Sequence, residues 1–235
     1  MTDQSPPVRD AATVIVLRGE GAERQVLMGQ RGAAAAFMPS KFVFPGGAVD
    51  PGDGAVPLAA PLPTLCAARL NEDSTPGLAP ALAAAAIREL WEESGLIVGR
   101  PGRWPGNVPD DWTGFAARGF VPDAAALQFV FRAITPPGRP RRFDARFFLL
   151  DARHVAGDPG DFSAASEELS HLQWVPLPDA RRFDLPFITE VVLAEIAARG
   201  SAADAPASVP FFRNDDEESL FLRLGGVSPL AAHTP

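Results

Sequence analysis

Three glutamates, Glu89, Glu92 and Glu93, fall within five positions of "AAIRELWEESGLIVG" (85–99), beside a single arginine, Arg88. A helix advances about 100° per residue, so Glu92 lies about 60° to one side of Glu89 and Glu93 about 40° to the other. All three carboxylates share one face, and Ile87, Leu90, Trp91 and Ser94 fall opposite. Arg88 reaches Glu92 at the four-residue spacing. Glu89 and Glu93 are also four apart, and such like-charge pairs destabilise a helix by roughly a few tenths of a kcal/mol. A solvated charged face is the plain reading, but it gives no reason for the pair. A divalent-cation site does, because hard cations such as Mg2+ take oxygen ligands and share their shell with substrate phosphates.

Upstream, "FVFPGGAVDPGDG" (42–54) is a glycine-rich loop after a short apolar strand. Gly46 and Gly47 let backbone carbonyl or amide groups approach a ligand closely, and Asp53 adds a carboxylate. Asp50 and Asp53 lack the alternating acidic spacing of an EF-hand. Arg31, at the end of the second expected strand, is a candidate phosphate contact. Phe37 and Met38 read as core packing rather than pocket lining. Cys66 has no partner cysteine or histidine nearby and is not read as a nucleophile.

These groups need elements to hold them. "LAPALAAAAIRELWEES" (78–94) is built of good helix formers and ends at Gly95, where a C-terminal glycine belongs. Strands are expected at 13–18, 25–31, 96–99, 127–135, 141–150 and 169–177, with a short helix around "PTLCAARLNE" and an amphipathic helix over 186–200. Residues 100–125 read as loop with one short helix, and "RNDDEES" followed by "LFLRL" as a tail. Strands before and after the helix, without regular βα alternation, imply an α+β fold with a mixed sheet.

The chain has 235 residues, 46% hydrophobic and 21% charged, with a net charge of −8. That length suits one large domain, and the acidic balance argues against nucleic acid as a partner. Lys41 is the sole lysine among 21 basic residues. A single cysteine excludes an internal disulfide and fits a cytoplasmic setting. "MTDQSPPVRD" has no apolar run of a signal peptide, and no stretch approaches the roughly 20 apolar residues of a membrane span.

Taken together, the loop and helix resemble the box of the Nudix hydrolase family: glycine, five residues, glutamate, seven residues, then Arg-Glu-apolar-any-Glu-Glu-any-Gly-apolar. Arg88, Glu89, Leu90, Trp91, Glu92, Glu93, Ser94, Gly95 and Leu96 match its second half completely, and "FPGG" matches the context before it. There are two departures. Asp53 stands where the box has glutamate, and 34 residues rather than seven separate it from Arg88. Whether Asp53 stays beside the helix is left open. An insertion there, with "FMPSKFVFPGGAVDPGD" and "RRFDARFFLL", is similar to the branch that includes a peroxisomal coenzyme A diphosphatase. Against this, "GAAAAFMPSK" lacks the further arginines of the coenzyme A signature.

The resemblance implies an α/β/α sandwich with the box helix packed on a central mixed sheet. It also implies cleavage of a nucleoside diphosphate linked to another moiety, using Mg2+ or Mn2+. Coenzyme A or its acyl thioesters lead as substrate, then ADP-ribose and dinucleotides. Glu89, Glu93 and Glu92 would ligate the metal, with a backbone carbonyl lent near Gly47. Arg88 would orient the glutamates, and Gly46, Gly47 and Arg31 would meet substrate. Some family members take their general base from a later loop, which here offers Glu167 and Glu168. A homodimer is left open, and a non-catalytic nucleotide-binding regulatory module is the alternative function. The expected layout is a flexible N-terminus (1–10), one domain (11–200) with an insertion at about 54–79, and a C-terminal extension (201–235) packed on the same domain.

Overall fold

The structure is a computed structural model, and residues 6–35, 37–199, 204–214 and 219–225 are described. A long strand β1 (Val8–Arg18) pairs with β2 (Gln25–Arg31), and two short strands follow, β3 (Phe42–Val43) and β4 (Gly46–Ala48). Helices α1 (Thr64–Leu70) and α2 (Ala79–Ser94) come next. Strand β5 (Gly99–Pro101), helix α3 (Thr113–Ala117) and strand β6 (Phe120–Pro122) make a small separate ribbon. The chain returns to the main sheet with β7 (Gln128–Ile134), β8 (Arg142–Asp151) and β9 (Leu169–Pro176). Helix α4 (Phe187–Ala197) and the hairpin β10 (Val209–Asn214) and β11 (Ser219–Leu224) complete the described part.

The sheet runs β11-β10-β7-β8-β1-β2-β3, with β4 also on β1 and β9 also on β2. Pairs β1–β8 and β7–β10 are parallel and the others antiparallel, so the sheet is mixed as expected. Side chains alternate between its faces. Ala12, Val14, Val16, Phe148 and Leu150 point to a core shared with α2 (Leu82, Ala83, Ala86, Leu90). Ile15, Leu17, Phe147 and Leu149 point to a second core under α4 (Val192, Leu193, Ile196). This is the α/β/α sandwich. Burying one such Leu or Ile stabilises the fold by roughly 1.5–3 kcal/mol. Alanines 83–86 of α2 are fully buried, so their small side chains let the helix lie close on the sheet.

Several details differ from the sequence expectation. β1 starts at Val8, inside the segment read as a flexible N-terminus, while residues 1–5 lie outside those described. "LIVG" is not a strand: Ile97 makes an isolated bridge to Ala156, and β5 starts only at Gly99. The stretch 100–125 contains β5 and β6 besides the expected short helix. The part of the tail read without strands supplies β10 and β11 at the sheet edge. The expected 186–200 helix ends at Ala197.

The insertion is held down by arginines. Arg132 on β7 donates to the carbonyls of Glu72 (3.0 Å) and Asp73 (2.9 Å) and to both oxygens of Asp144. Arg146 on β8 reaches Ser74 Oγ at 3.0 Å and also pairs with Asp10. Arg69 on α1 donates to the carbonyls of Pro206 (2.7 Å) and Ala207 (2.8 Å), just ahead of β10. The insertion thus joins the sheet to the C-terminal hairpin.

Candidate active site

Arg88 sits at the centre of the site. It is buried, and its guanidinium donates to both oxygens of Asp53 (3.1 Å each), to Glu89 Oε1 (2.9 Å), to Glu92 Oε2 (3.2 Å) and to the Ala48 carbonyl (3.0 Å). Burial alone would weaken its charge, but the Asp53 hydrogen bonds and the charges of Glu89, Asp53 and Glu92 outweigh that and raise its pKa. Asp53 is only 3% exposed, and its Oδ2 also accepts the Asp50 amide at 2.8 Å. The interruption therefore does not carry Asp53 away. The 3-10 turn it opens (Asp53–Ala55) lies against the start of α2, where a Cβ on Gly54 would meet the Ala81 side chain at 3.8 Å. Asp53 serves Arg88 and is not one of the clustered carboxylates.

Among the described residues, Glu89, Glu93 and Glu168 bring one carboxylate oxygen each to within 4.8 Å of one another. Glu89 and Glu93 come from one face of α2, at 8% and 1% exposure. Glu168 comes from the exposed loop before β9, which is tied to the end of α2 by the Ser166 amide donating to the Glu92 carbonyl at 2.8 Å. Glu93 Oε2 accepts the Gly46 amide at 2.7 Å. Burial pushes Glu89 up to about 7 against the pull of Arg88. Burial, then the Glu89 charge, pushes Glu93 well above the usual carboxylate range. Three mutually close carboxylates fit a hard divalent ion in charge and donor type. Glu92 is placed differently from the other two: it is half-buried, turned to Arg88, and outside the cluster. Glu167 is exposed and outside it too.

The glycine loop passes directly behind the carboxylates. A Cβ on Gly47 would overlap the Glu89 carboxyl group, and one on Gly46 would lie 2.5 Å from the Ala12 carbonyl oxygen. Both residues pair with β1, Gly47 opposite Ala12 and Gly46 opposite Thr13. Gly47→Ala is expected to push the Glu89 carboxylate out of line, because Arg88 pins it from the other side. Metal-dependent turnover should fall by about tenfold or more, with a loss of melting temperature smaller than that of Arg88→Ala. Steady-state kinetics beside a melting curve test this, and a variant as active as the parent would refute the close approach.

The carboxylates open onto a cavity of about 780 Å3. Its floor is the part of the sheet that α4 leaves uncovered. Ala48, Ala11, Ala145 and Ala133 lie side by side across four strands and end on Phe212. Phe37 meets Phe143 edge to face at 5.3 Å over this floor, so Phe37 and Met38 do line the cavity. Arg31 lines it close enough to Glu93 to partly offset the rise of that group's pKa, and its Nε is buried with no hydrogen-bond partner among the described residues. Arg9, Lys41, Arg139 and Arg141 line it as well. None of the four was read as a site residue from the sequence. "RRFDARFFLL" had marked the neighbourhood of Arg141 and Phe143, but only by its likeness to a branch, with no chemical signal of its own.

No family model matches the chain. A crystal structure of a NUDIX hydrolase from Alicyclobacillus acidocaldarius, however, is 29% identical, covers 83% of this chain and 94% of its own, and has a TM-score of 0.62. The chain is similar in sequence and in fold to Nudix hydrolases. Two curated Nudix relatives agree. A putative nudix hydrolase 7 of Caenorhabditis elegans is 29% identical over 71% of this chain and 51% of its own length. The acyl-coenzyme A diphosphatase NUDT19 of Gallus gallus is 28% identical over 73% of this chain and 62% of its own length. The match therefore spans only about half to three fifths of those two Nudix proteins. No helix among the described residues is long and apolar enough to cross a membrane.

Proposed function

We propose that the chain is a Mg2+- or Mn2+-dependent hydrolase that cuts the diphosphate of a nucleotide derivative. Coenzyme A and its acyl thioesters are the leading substrate class, ahead of ADP-ribose and dinucleotides. The observation that carries the reading is the Glu89–Glu93–Glu168 cluster at one end of a cation-lined cavity. The acyl-coenzyme A diphosphatase among the relatives supports the order of substrates.

A divalent cation held by Glu89 and Glu93 would neutralise diphosphate charge and acidify a water. The protein groups have separate tasks. Arg88 fixes Glu89 from behind, and the Gly46 amide fixes Glu93. The Arg31 guanidinium, which lines the cavity, is placed to donate to a phosphate oxygen. Glu168 carries no side-chain hydrogen bond or ion pair among the described residues, so its carboxylate is available to take the water proton. The water oxygen bonds to phosphorus, the bridging P–O bond breaks, and the departing oxygen keeps the electron pair. Glu92 stays with Arg88, where its charge helps set the guanidinium.

A panel of coenzyme A, an acyl-coenzyme A, ADP-ribose and diadenosine polyphosphates, with and without Mg2+ or Mn2+, tests this. Products are read by mass. Coenzyme A should yield adenosine 3′,5′-bisphosphate and 4′-phosphopantetheine only when metal is added. Binding without turnover across the panel would replace this reading with the regulatory-module one.

A further inference from the structure

Most arginines in this acidic chain have their charge taken up. Arg88, Arg132 and Arg146 hold buried carboxylates, and Arg69 holds backbone carbonyls. Two arginines facing the cavity are different. Arg139 and Arg141 are exposed, line it, and have neither ion pair nor hydrogen bond among the described residues. Nearby Arg9 has only a 3.9 Å approach to Asp50. The turn that carries Arg139 and Arg141 (135–141) has a well-tied base. The Thr135 amide donates to the Phe143 carbonyl at 2.8 Å, the Phe143 amide to Thr135 Oγ1 at 3.0 Å, and Arg142 Nε to the Thr135 carbonyl at 3.1 Å.

The register places this turn away from the carboxylates. Ala48 beside the carboxylate end, Ala11 and Ala145 are direct neighbours, and β8 begins three residues before Ala145. At about 3.3 Å per residue and about 4.8 Å per strand, the start of β8 is roughly 14 Å from Ala48. The Phe37–Phe143 pair lies in the same cavity, Phe143 between Ala145 and the turn along β8. A diphosphate held at the carboxylates does not extend that far, but the rest of a nucleotide does.

We propose that Arg139 and Arg141 are specificity residues that bind a second anionic group, a phosphomonoester on the nucleoside half of the substrate. This rests on the diphosphatase reading above. Two guanidinium forks match the charge and the oxygen geometry of a phosphomonoester dianion better than they match a single carboxylate.

The test compares substrates that differ by one phosphomonoester: coenzyme A against 3′-dephospho-coenzyme A, and NADPH against NADH, with the full chain and Mg2+. The phosphorylated member of each pair should have the higher kcat/KM by about tenfold, mostly through KM. In an Arg139→Ala/Arg141→Ala double variant the ratio should fall close to one, with kcat/KM for the dephospho substrate kept within about twofold. Arg139→Lys/Arg141→Lys should recover part of the preference. Equal rates in the parent overturn the proposal. So does a drop in the double variant that is the same for both members, which marks general charge attraction. Calorimetry of adenosine 3′,5′-bisphosphate against adenosine 5′-monophosphate supplies a readout without turnover. If no diphosphate is cut but this binding preference exists and disappears in the variant, the hydrolase reading fails and the second anion site stands. If neither nucleotide is distinguished, the second site fails whatever the activity.

Discussion

Glu93→Gln is expected to cost at least about a hundredfold in metal-dependent kcat/KM and, at the same time, to raise the melting temperature of the metal-free protein. The two effects have one cause. Glu93 is almost wholly buried, next to Glu89, and its pKa is raised well above the usual carboxylate range by burial and then by the Glu89 charge. Keeping a negative charge there without a cation costs stability. Glutamine removes the charge and retains an acceptor for the Gly46 amide. The sign of the pH dependence follows. Glu89 moves from an ordinary 4.5 to about 7 on folding, so the folded state binds its proton more tightly. Its contribution is fully present below about pH 4.5 and is lost as pH rises to about 7, a change of roughly 3 kcal/mol for a group this buried. In EDTA, melting temperature should therefore fall between pH 5.5 and 8, and added Mg2+ should restore more at pH 8 than at pH 5.5. Scanning fluorimetry of parent and variant at both pH values, with and without Mg2+, checks all of this. A variant that melts lower than the parent in EDTA at pH 8 would sink the account.

Arg88→Ala should be the most destabilising substitution in the site, by about 3–5 kcal/mol, because it leaves buried carboxylates without their partner. Asp53 is 3% exposed and holds two of the guanidinium hydrogen bonds, and Glu89 holds a third. Arg88→Lys keeps the charge but not the planar fork, so a single ammonium must choose between Asp53 and the glutamates. It should lose less stability than alanine yet still lose much of the activity. Chemical denaturation of the three proteins measures the order. A loss under about 1 kcal/mol for Arg88→Ala would mean that the network stabilises nothing.

The helix and its carboxylate face were legible in the sequence because they depend on local periodicity. Ala79–Ser94 was found within one residue of its start, and Gly95 closes it in the left-handed conformation with its amide on the Trp91 carbonyl. What depended on distant partners was not legible. The first residues of β1 read as tail because Arg9 and Asp10 look like solvent residues. One instead faces the cavity, and the other pairs with Arg146 on β8, 136 residues later in the chain. Strand β10 was missed because it pairs with β7 rather than with a sequence neighbour other than its own hairpin. The reverse holds for "LIVG", an apolar run whose bridge to Ala156 extends no further. Asp53 was undecidable, since a 34-residue separation says nothing about whether a loop returns. Glu92 shows the limit of angular arguments. It shares the helical face of Glu89 and Glu93, but Arg88 competes for its carboxylate.

The parallel pairing of β1 with β8 also bears on how the chain is made. Val8 aligns with Arg142, so the central partner of the first strand is synthesised about 130 residues after it. Until then β1 carries β2 and β4 but has one side open, in the middle of what will be the sheet. An unpaired strand edge in a nascent chain is an aggregation hazard. Refolding from denaturant should accordingly be slow and sensitive to protein concentration. The glutamates of α2 are synthesised before β8, and they gain a finished floor beneath them only once β8 has joined β1.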